Sequence, residues 1–375
     1  MDILDNPHII RIIASNENWI EGEAVRQLEN TAKLPGMKRA IGLPDLHPGK
    51  GAPVGAAFFS EGRLYPHLVG NDVGCGMGLW QTELKQNKLK RDRWVKKLHG
   101  LESSWEGDTN AWLSQDNIES GEWDNALGTI GGGNHFAELQ VIESIIDGDQ
   151  FNNAGLSQGK LFLLVHSGSR GLGEALLRQH VAECKADGLK EGTPAANDYL
   201  AGHEHAIRWA RSNRALIAHR FCSQLGTSGT RVLDVSHNSV TRSTINGDSG
   251  WLHRKGAAPS DEGLVVIPGS RGSFSYLVVP AGPQEGNGFS LAHGAGRKWK
   301  RSESKGRLKN RYTCESLSQT RFGSKVICHN KSLIYEEAPE AYKNIDVVVN
   351  DLRDAGLLNV VATLKPLITY KTRAV

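Results

Sequence analysis

The chain has 375 residues, 39% of them hydrophobic, and a formal net charge of only +3. That is enough apolar material for one large core, and no global field dictates a polyanionic partner. Five cysteines (Cys75, Cys184, Cys222, Cys314, Cys328) without a CxxC pair exclude a secreted disulfide scaffold, and the N-terminus MDILDNPHII and the absence of a long apolar run predict a soluble, cytoplasmic protein rather than a membrane one.

In chain order, short apolar runs closed by glycine read as buried strands at 52–59, 77–84, 160–165, 231–235, 263–267, 275–279 and 289–292. Helical periodicity predicts helices at 21–33 and 174–186. A long helix at about 195–225 carries Leu200, Ile207, Ala210, Ile217, Phe221 and Leu225 on one face, and a last helix follows at 341–355. The acidic, aperiodic segment 100–125 reads as a surface insertion. Strands and helices alternate without a repeat or a linker, which predicts a single α+β domain over 1–375 built on mixed sheets. Two stretches are strongly basic. Residues 85–97 hold seven Lys/Arg against Asp92, and residues 297–311 hold eight against Glu303. The second, with Trp299, is suited to RNA by charge and stacking, set against the reading of a solvated surface loop.

Glycine is in excess, 43 of 375, and gathers where strands end in reactive side chains. VGNDVGCGM (69–77) sets Asp72 and Cys75 among glycines, which can turn two short side chains onto one point. GTIGGGNHFAEL (128–139) leads into His135, a strand ending at Val165 runs into His166-Ser-Gly-Ser-Arg-Gly, and another ending at Val235 runs into Ser236-His237-Asn238. Carboxylate, thiolate and three imidazoles supply five ligands, enough for two ions sharing the thiolate. Mixed O, N and S donors admit Mn, Zn, Fe or Co. His293 sits in HGAGR (293–297), where Gly294, Ala295, Gly296 and Arg297 would cradle a phosphate, as suits a histidine nucleophile attacking phosphorus. Gly269-Ser270 and the Gly-Ser pairs around Ser167 and Ser169 offer backbone N–H groups to phosphate oxygens. Of the other histidines, His203 and His205 lie in the long helix, and His8, His99 and His329 are expected to be exposed.

These blocks, together with LPDLHPGKG (43–51), RKGA (254–257) and IPGSRGS (267–273), resemble the successive signatures of the RtcB family of RNA ligases, in the family's order over nearly the whole chain. The resemblance implies the family's own α+β fold around a deep metal-lined cleft. It also implies a GTP- and Mn²⁺-dependent ligase that joins an RNA 3′-phosphate or 2′,3′-cyclic phosphate to a 5′-hydroxyl. By motif, Cys75 would bridge two Mn²⁺ ions, with Asp72 and His135 completing one site and His166 and His237 the other. His293 would carry guanylate. Asn134, Phe136, Glu138, Ser270, Lys371 and the 294–297 turn would form the nucleotide pocket, with Glu138 reading the guanine edge. Arg170, Lys255 and Arg297 would meet phosphate or RNA.

The chain departs from the family pattern at Ser236, where a second histidine is usual, at Arg271, where methionine is common, and in the KWKRSES run with Trp299. With its short length, this is similar to a divergent bacterial branch of RNA-repair ligases encoded beside a release-factor-like protein, which implies cleaved ribosomal RNA as a substrate and that protein as a functional partner. A monomer and a dimer both stay open, as does the need for an archease-type activator. The competing readings are a metal-dependent phosphodiesterase or hydrolase, which would not need His293 or Lys371, and an inactive RNA-binding paralogue, which would not need the full ligand set.

Overall fold

A computed structural model describes residues 9–184 and 187–373. His8, the end of the helix expected to reach 186 and the side chain of Cys184 lie outside the described residues. The strand Lys160–Ser167 explains the larger sheet. Its run KLFLLVHS is apolar at both parities, so Leu161, Leu163 and Val165 face one core while Phe162 and Leu164 face another. The long helix Pro194–Leu225 covers the first face through Ile217, Phe221 and Leu225. On the second face Phe151 and Leu156 close over Leu79, Phe162 and Leu233.

That sheet has eight strands. Along its path the order is Val265–Pro268, Ser275–Pro280, Leu358–Thr372, Phe136–Ile145, Lys160–Ser167, Gly76–Lys85 and Gly229–Ser236, all antiparallel neighbours. Lys325–Cys328 joins Leu358–Thr372 in parallel. A second sheet of five strands runs Ile10–Ile12, Met37–His47, Val54–Ser60, Asp248–Lys255 and Asn238–Ile245, with its first pair parallel. Helix Gly22–Ala32 packs Ala24 and Leu28 on one side of it, and helix Ile345–Asp354 packs Val348, Val349 and Leu352 on the other. The architecture is the mixed-sheet α+β fold that the sequence predicts. Several strands escaped the sequence reading: Met37–His47 and Leu358–Thr372 contain prolines, and Phe136–Ile145 alternates irregularly with Glu138 and Gln140 buried. The segment 100–125 holds the short helix Thr109–Ser114. It is mostly exposed but is pinned to the long helix where Leu113 and Ile118 meet Trp209 and Leu216.

Two consequences of this topology position a site. Four neighbouring strands bring one end of each together: Phe136 is paired with His166, Met77 with His166, and Gly76 with both Ser167 and Ser236. His237 is the single residue between Gly229–Ser236 of the large sheet and Asn238–Ile245 of the small one, so it sits at their junction.

The long helix also sends a charge into the interior. Arg214 is fully buried, and its Nε lies 3.1 and 3.0 Å from the two carboxylate oxygens of Asp234. Its Nη1 donates to the carbonyls of Gly74 at 2.7 Å and Ser167 at 2.9 Å. Beside it, the Asn213 amide donates to the Gly168 carbonyl at 3.0 Å, and its oxygen accepts from the Gly128 N–H at 2.7 Å. Removing one partner of a buried ion pair leaves an uncompensated charge in low dielectric. Arg214→Met is therefore expected to lower the unfolding free energy by about 3–5 kcal/mol in urea denaturation, and Arg214→Met/Asp234→Leu to lower it by less.

Candidate metal centre and nucleotide cavity

Asp72 and Cys75 lie in the turn that enters Gly76–Lys85. The turn is possible because Gly74 takes φ +74° with its α-carbon against the long helix, where a Cβ would come within 2.9 Å of the Ala210 methyl. His135 precedes Phe136–Ile145 directly, and His166 closes Lys160–Ser167. The donor atoms form a chain. Asp72 Oδ2 is 3.0 Å from His135 Nε2, Cys75 Sγ is 3.4 Å from His135 Nε2 and 3.2 Å from His166 Nε2, and His166 Nε2 is 3.4 Å from His237 Nε2.

The protonation of this cluster fits a cation. His135 Nδ1 lies 3.0 Å from the Ile130 carbonyl and His166 Nδ1 3.3 Å from that of Asn134. A carbonyl can only accept, so those nitrogens carry protons; the His166 Nε2 then presents a lone pair inward, as metal-binding imidazoles do, while the His135 Nε2 faces the Asp72 carboxylate. Burial, with neighbouring imidazoles second, holds His166 well below the ordinary imidazole range. Burial, with His293 next, does the same to His237. Both are thus neutral at pH 7. An oxygen, a sulfur and three imidazole nitrogens gathered within 3.5 Å of their neighbours are the donor set that a divalent cation would complete. Burial and the charge of Asp72 push the Cys75 thiol well up, so metal-free Cys75 is protonated.

The cluster forms the floor of a cavity of about 320 Å³. Above it, His293 follows strand Ser290–Ala292. Its Nδ1 lies 2.6 Å from Asp45 Oδ2, and its backbone N–H donates to the same oxygen at 3.2 Å. The carboxylate holds the proton on Nδ1 and leaves the lone pair on Nε2. The His293 ring centroid is 4.8 Å from that of His237, and Gly256 leaves room for it, since a Cβ there would lie 2.9 Å from His293 Cε1.

The same cavity is lined by Asn134, Phe136, Glu138, Ser270, Gly294, Ala295, Gly296, Arg297 and Lys371, which brings every predicted nucleotide residue into one space with the metal donors. Burial pushes the Glu138 carboxyl up to about 7, against the opposing hydrogen bonds from Thr369 and Gln140. Burial also lowers Lys371 to about 8, and its ammonium donates to the His135 carbonyl at 2.8 Å.

Of the predicted phosphate cations, Arg297 lines the cavity but is engaged by Glu337 at 3.2 Å and by the Glu336 carbonyl at 2.8 Å. Arg170 stands behind the metal donors, its backbone N–H on Asp72 and its Nη1 3.5 Å from His135 Nδ1. Lys255 is buried outside the cavity lining and donates to the Lys50 and Ala52 carbonyls at 3.2 and 3.1 Å.

Sequence reasoning assigned no role to Asp45, Arg214 or Glu337, although Asp45 lies inside a recognised motif, and took Arg301 only as part of the basic run 297–311. Arg214 was legible too: it falls on the apolar stripe of the long helix, between Ala210 and Ile217, where a charge is out of place. Glu337, on the cavity wall with Arg301, sits in polar surroundings that give no such signal. His99 and His329 are exposed as expected. Among the described residues no helix is long and apolar enough to cross a membrane.

Comparison with known proteins adds a family likeness. The family model described as tRNA-splicing ligase RtcB matches residues 27–104 and 100–372. A protein named RNA-splicing ligase RtcB2 from Escherichia coli (strain ATCC 25922) is 53% identical over 96% of this chain and 94% of its own length. RNA-splicing ligase RtcB1 of the same strain is 30% identical over 94% and 95%. The tRNA-splicing ligase RtcB of Archaeoglobus fulgidus is 29% identical over 93% and 91%.

Two measurements test the chemistry of the cavity. Metal binding to a protonated thiol must release its proton, so Mn²⁺ affinity is expected to rise with pH between about 6 and 8. Calorimetry in buffers of different ionisation enthalpy should then find about one proton released, and Cys75→Ala should release none. Glu138 is raised from 4.5 to about 7 on folding, so its charged form costs stability only as pH rises through that window. In the metal- and nucleotide-free protein, Glu138→Gln should raise stability at about pH 8, relative to its effect at about pH 4, by roughly 2–3 kcal/mol in urea titrations.

Proposed function

The chain belongs to the RtcB family and is an RNA ligase, and from that premise we propose that it joins RNA 3′-phosphate or 2′,3′-cyclic phosphate ends to 5′-hydroxyl ends with GTP, through a guanylate carried on His293. The observation that supports this reading most directly is the Asp45–His293 pair, which presents one imidazole nitrogen as a nucleophile in the same cavity as the metal donors. A hydrolase built on the same donors would have no use for that pair.

In this proposal Asp72 and His135 would hold one Mn²⁺ and His166 and His237 a second, with Cys75 lying between the two pairs in the order of contacts and available to both. When bound, the ions supply positive charge that stabilises phosphate oxygens during transfer. A cyclic phosphate end is first opened by water to the 3′-phosphate. His293 Nε2 then attacks the α-phosphorus of GTP and pyrophosphate leaves. Asp45 keeps the Nδ1 proton and balances the positive charge of the substituted ring. The RNA 3′-phosphate takes GMP from His293, and the 5′-hydroxyl displaces GMP to form the new phosphodiester. Glu138 reads the guanine edge, Phe136 packs by the base, and Lys371 with Asn134, Ser270 and the Gly294–Arg297 turn complete the pocket. Arg170 and Arg297 draw the RNA phosphates by their charge, and Lys255 adds charge from behind the Lys50–Ala52 turn.

We further propose a repair role, with cleaved ribosomal RNA as substrate and a release-factor-like protein as functional partner. The higher identity to the RtcB2 than to the RtcB1 of one strain supports placing the chain on a separate branch.

Incubation with labelled GTP and Mn²⁺, followed by denaturation, is expected to leave an acid-labile guanylate adduct that His293→Ala and Cys75→Ala both abolish. Asp45→Asn should slow its formation by about a hundredfold or more without loss of bound metal. An adduct that persists in His293→Ala would refute the assignment.

A further inference from the structure

Resting on the reading of RNA as substrate, we infer that the groove between Trp19 and the segment Lys298–Arg307 is a docking site for single-stranded RNA leading away from the catalytic cavity. Among the described residues Trp19 is one of three exposed large hydrophobic side chains, at 57% exposure. Its exposure is not a frayed end. The preceding residue, Asn18, is buried and donates to the Pro44 carbonyl at 2.9 Å and the Asp351 carboxylate at 2.6 Å, and helix Gly22–Ala32 begins three residues later. The backbone on both sides of the indole is therefore fixed, and the ring is held out into solvent at the cost of leaving its apolar faces wet.

The opposite wall comes from a distant part of the chain. Trp19 and Glu21 face Lys298, Trp299, Lys300, Glu303 and Arg307 across a groove of about 460 Å³. Lys298 and Lys300 are exposed, and among the described residues neither is in an ion pair. Glu303 is neutralised by Arg307 at 2.9 Å, and the Arg307 guanidinium lies 5.2 Å above the Trp299 ring. The remaining acid, Glu21, faces two free ammonium groups. Lys298 is also fixed, its N–H donating to the Ala341 carbonyl at 2.8 Å, while the Trp299 carbonyl accepts from Arg297 Nε at 3.0 Å.

This wall is shared with the active site. Arg297 and Arg301 line the catalytic cavity, and the residues between and beyond them line the groove. A strand leaving the reaction centre over Arg301 thus meets a pair of free cations spaced along a groove with an indole ready to stack. Stacking on an indole needs an unstacked base, which a duplex does not offer, so the occupant is single-stranded. An acidic protein would use the lysines but would not need the solvent-held indole face.

The test uses the full chain and a fluorescein-labelled single-stranded RNA with a 3′-hydroxyl, which binds but cannot be joined. Trp19→Ala and Lys300→Glu should each weaken its binding in anisotropy titrations by about fivefold or more. Trp19→Phe should keep most of the affinity, and Lys300→Glu should also flatten the salt dependence. Guanylylation by labelled GTP needs no RNA and should be unchanged in all three. Wild-type affinity in Trp19→Ala, or an equal loss for duplex RNA, overturns the proposal. If the wild-type protein forms no guanylate while Trp19→Ala still loses RNA affinity, the groove stands and the ligation mechanism falls.

Discussion

The site depends on one buried polar contact set, that of Asn213 and Arg214 with the backs of three glycine-rich loops. The carbonyls of Gly74, Ser167 and Gly168 and the N–H of Gly128 are all satisfied by these two consecutive side chains. Each loop carries or leads to metal donors on its other side: Asp72 and Cys75, His166, and His135. Glycine-rich loops are conformationally expensive to fix, and these must also hold like-natured donors within contact distance of one another. A rigid helix reaching behind all of them solves both problems with one buried cation, whose charge Asp234 balances. The helix therefore acts as a clamp for the centre without touching the reacting atoms.

The same logic of fixed protons runs through the cavity. Backbone carbonyls decide which nitrogen of His135 and His166 carries hydrogen, and the Asp45 carboxylate decides it for His293. All three rings are thus fixed by an acceptor on Nδ1; the carboxylate at His293, unlike the two carbonyls, can also balance a positive charge on its ring. His237 differs again, because its Nδ1 meets no protein partner and its ring lies between those of His166 and His293.

Much of this was legible in the sequence, because the donors sit in short motifs whose glycines announce close approach. Asp72, Cys75, His135, His166 and His237 were read from local context, and the sheet register then brings the four strand ends to one edge. What the sequence left hidden was of two kinds. Strands such as Phe136–Ile145 and Leu358–Thr372 carry polar residues inward, Glu138, Gln140, Thr369 and Lys371, since they line a cavity, and this breaks the alternation by which strands are recognised. Partners distant in sequence, such as Trp19 with Lys300 or Glu337 with Lys371, exist only once the chain has folded.

The cavity wall around Glu138 and Lys371 shows how a departure in sequence is absorbed. Arg271 is buried there, where its Nη2 donates to the Ile334 carbonyl at 2.8 Å while Nε and Nη1 meet no acceptor among the described residues. It adds a cation to a wall that already holds Lys371, Arg297 and Arg301, against the carboxylates of Glu337 and Glu138. Glu337 is held below the usual carboxylate range by Lys371, Arg301 and Arg297 despite its burial, so it is charged, whereas burial keeps Glu138 half-protonated near neutrality. The balance along this wall is positive, and two guanidinium nitrogens stay unsatisfied in low dielectric. Such an arrangement is costly in the free protein and is relieved by an anionic ligand carrying acceptor atoms. A replacement that would be a liability in a closed core is accommodated here because it lies on the wall of a cavity.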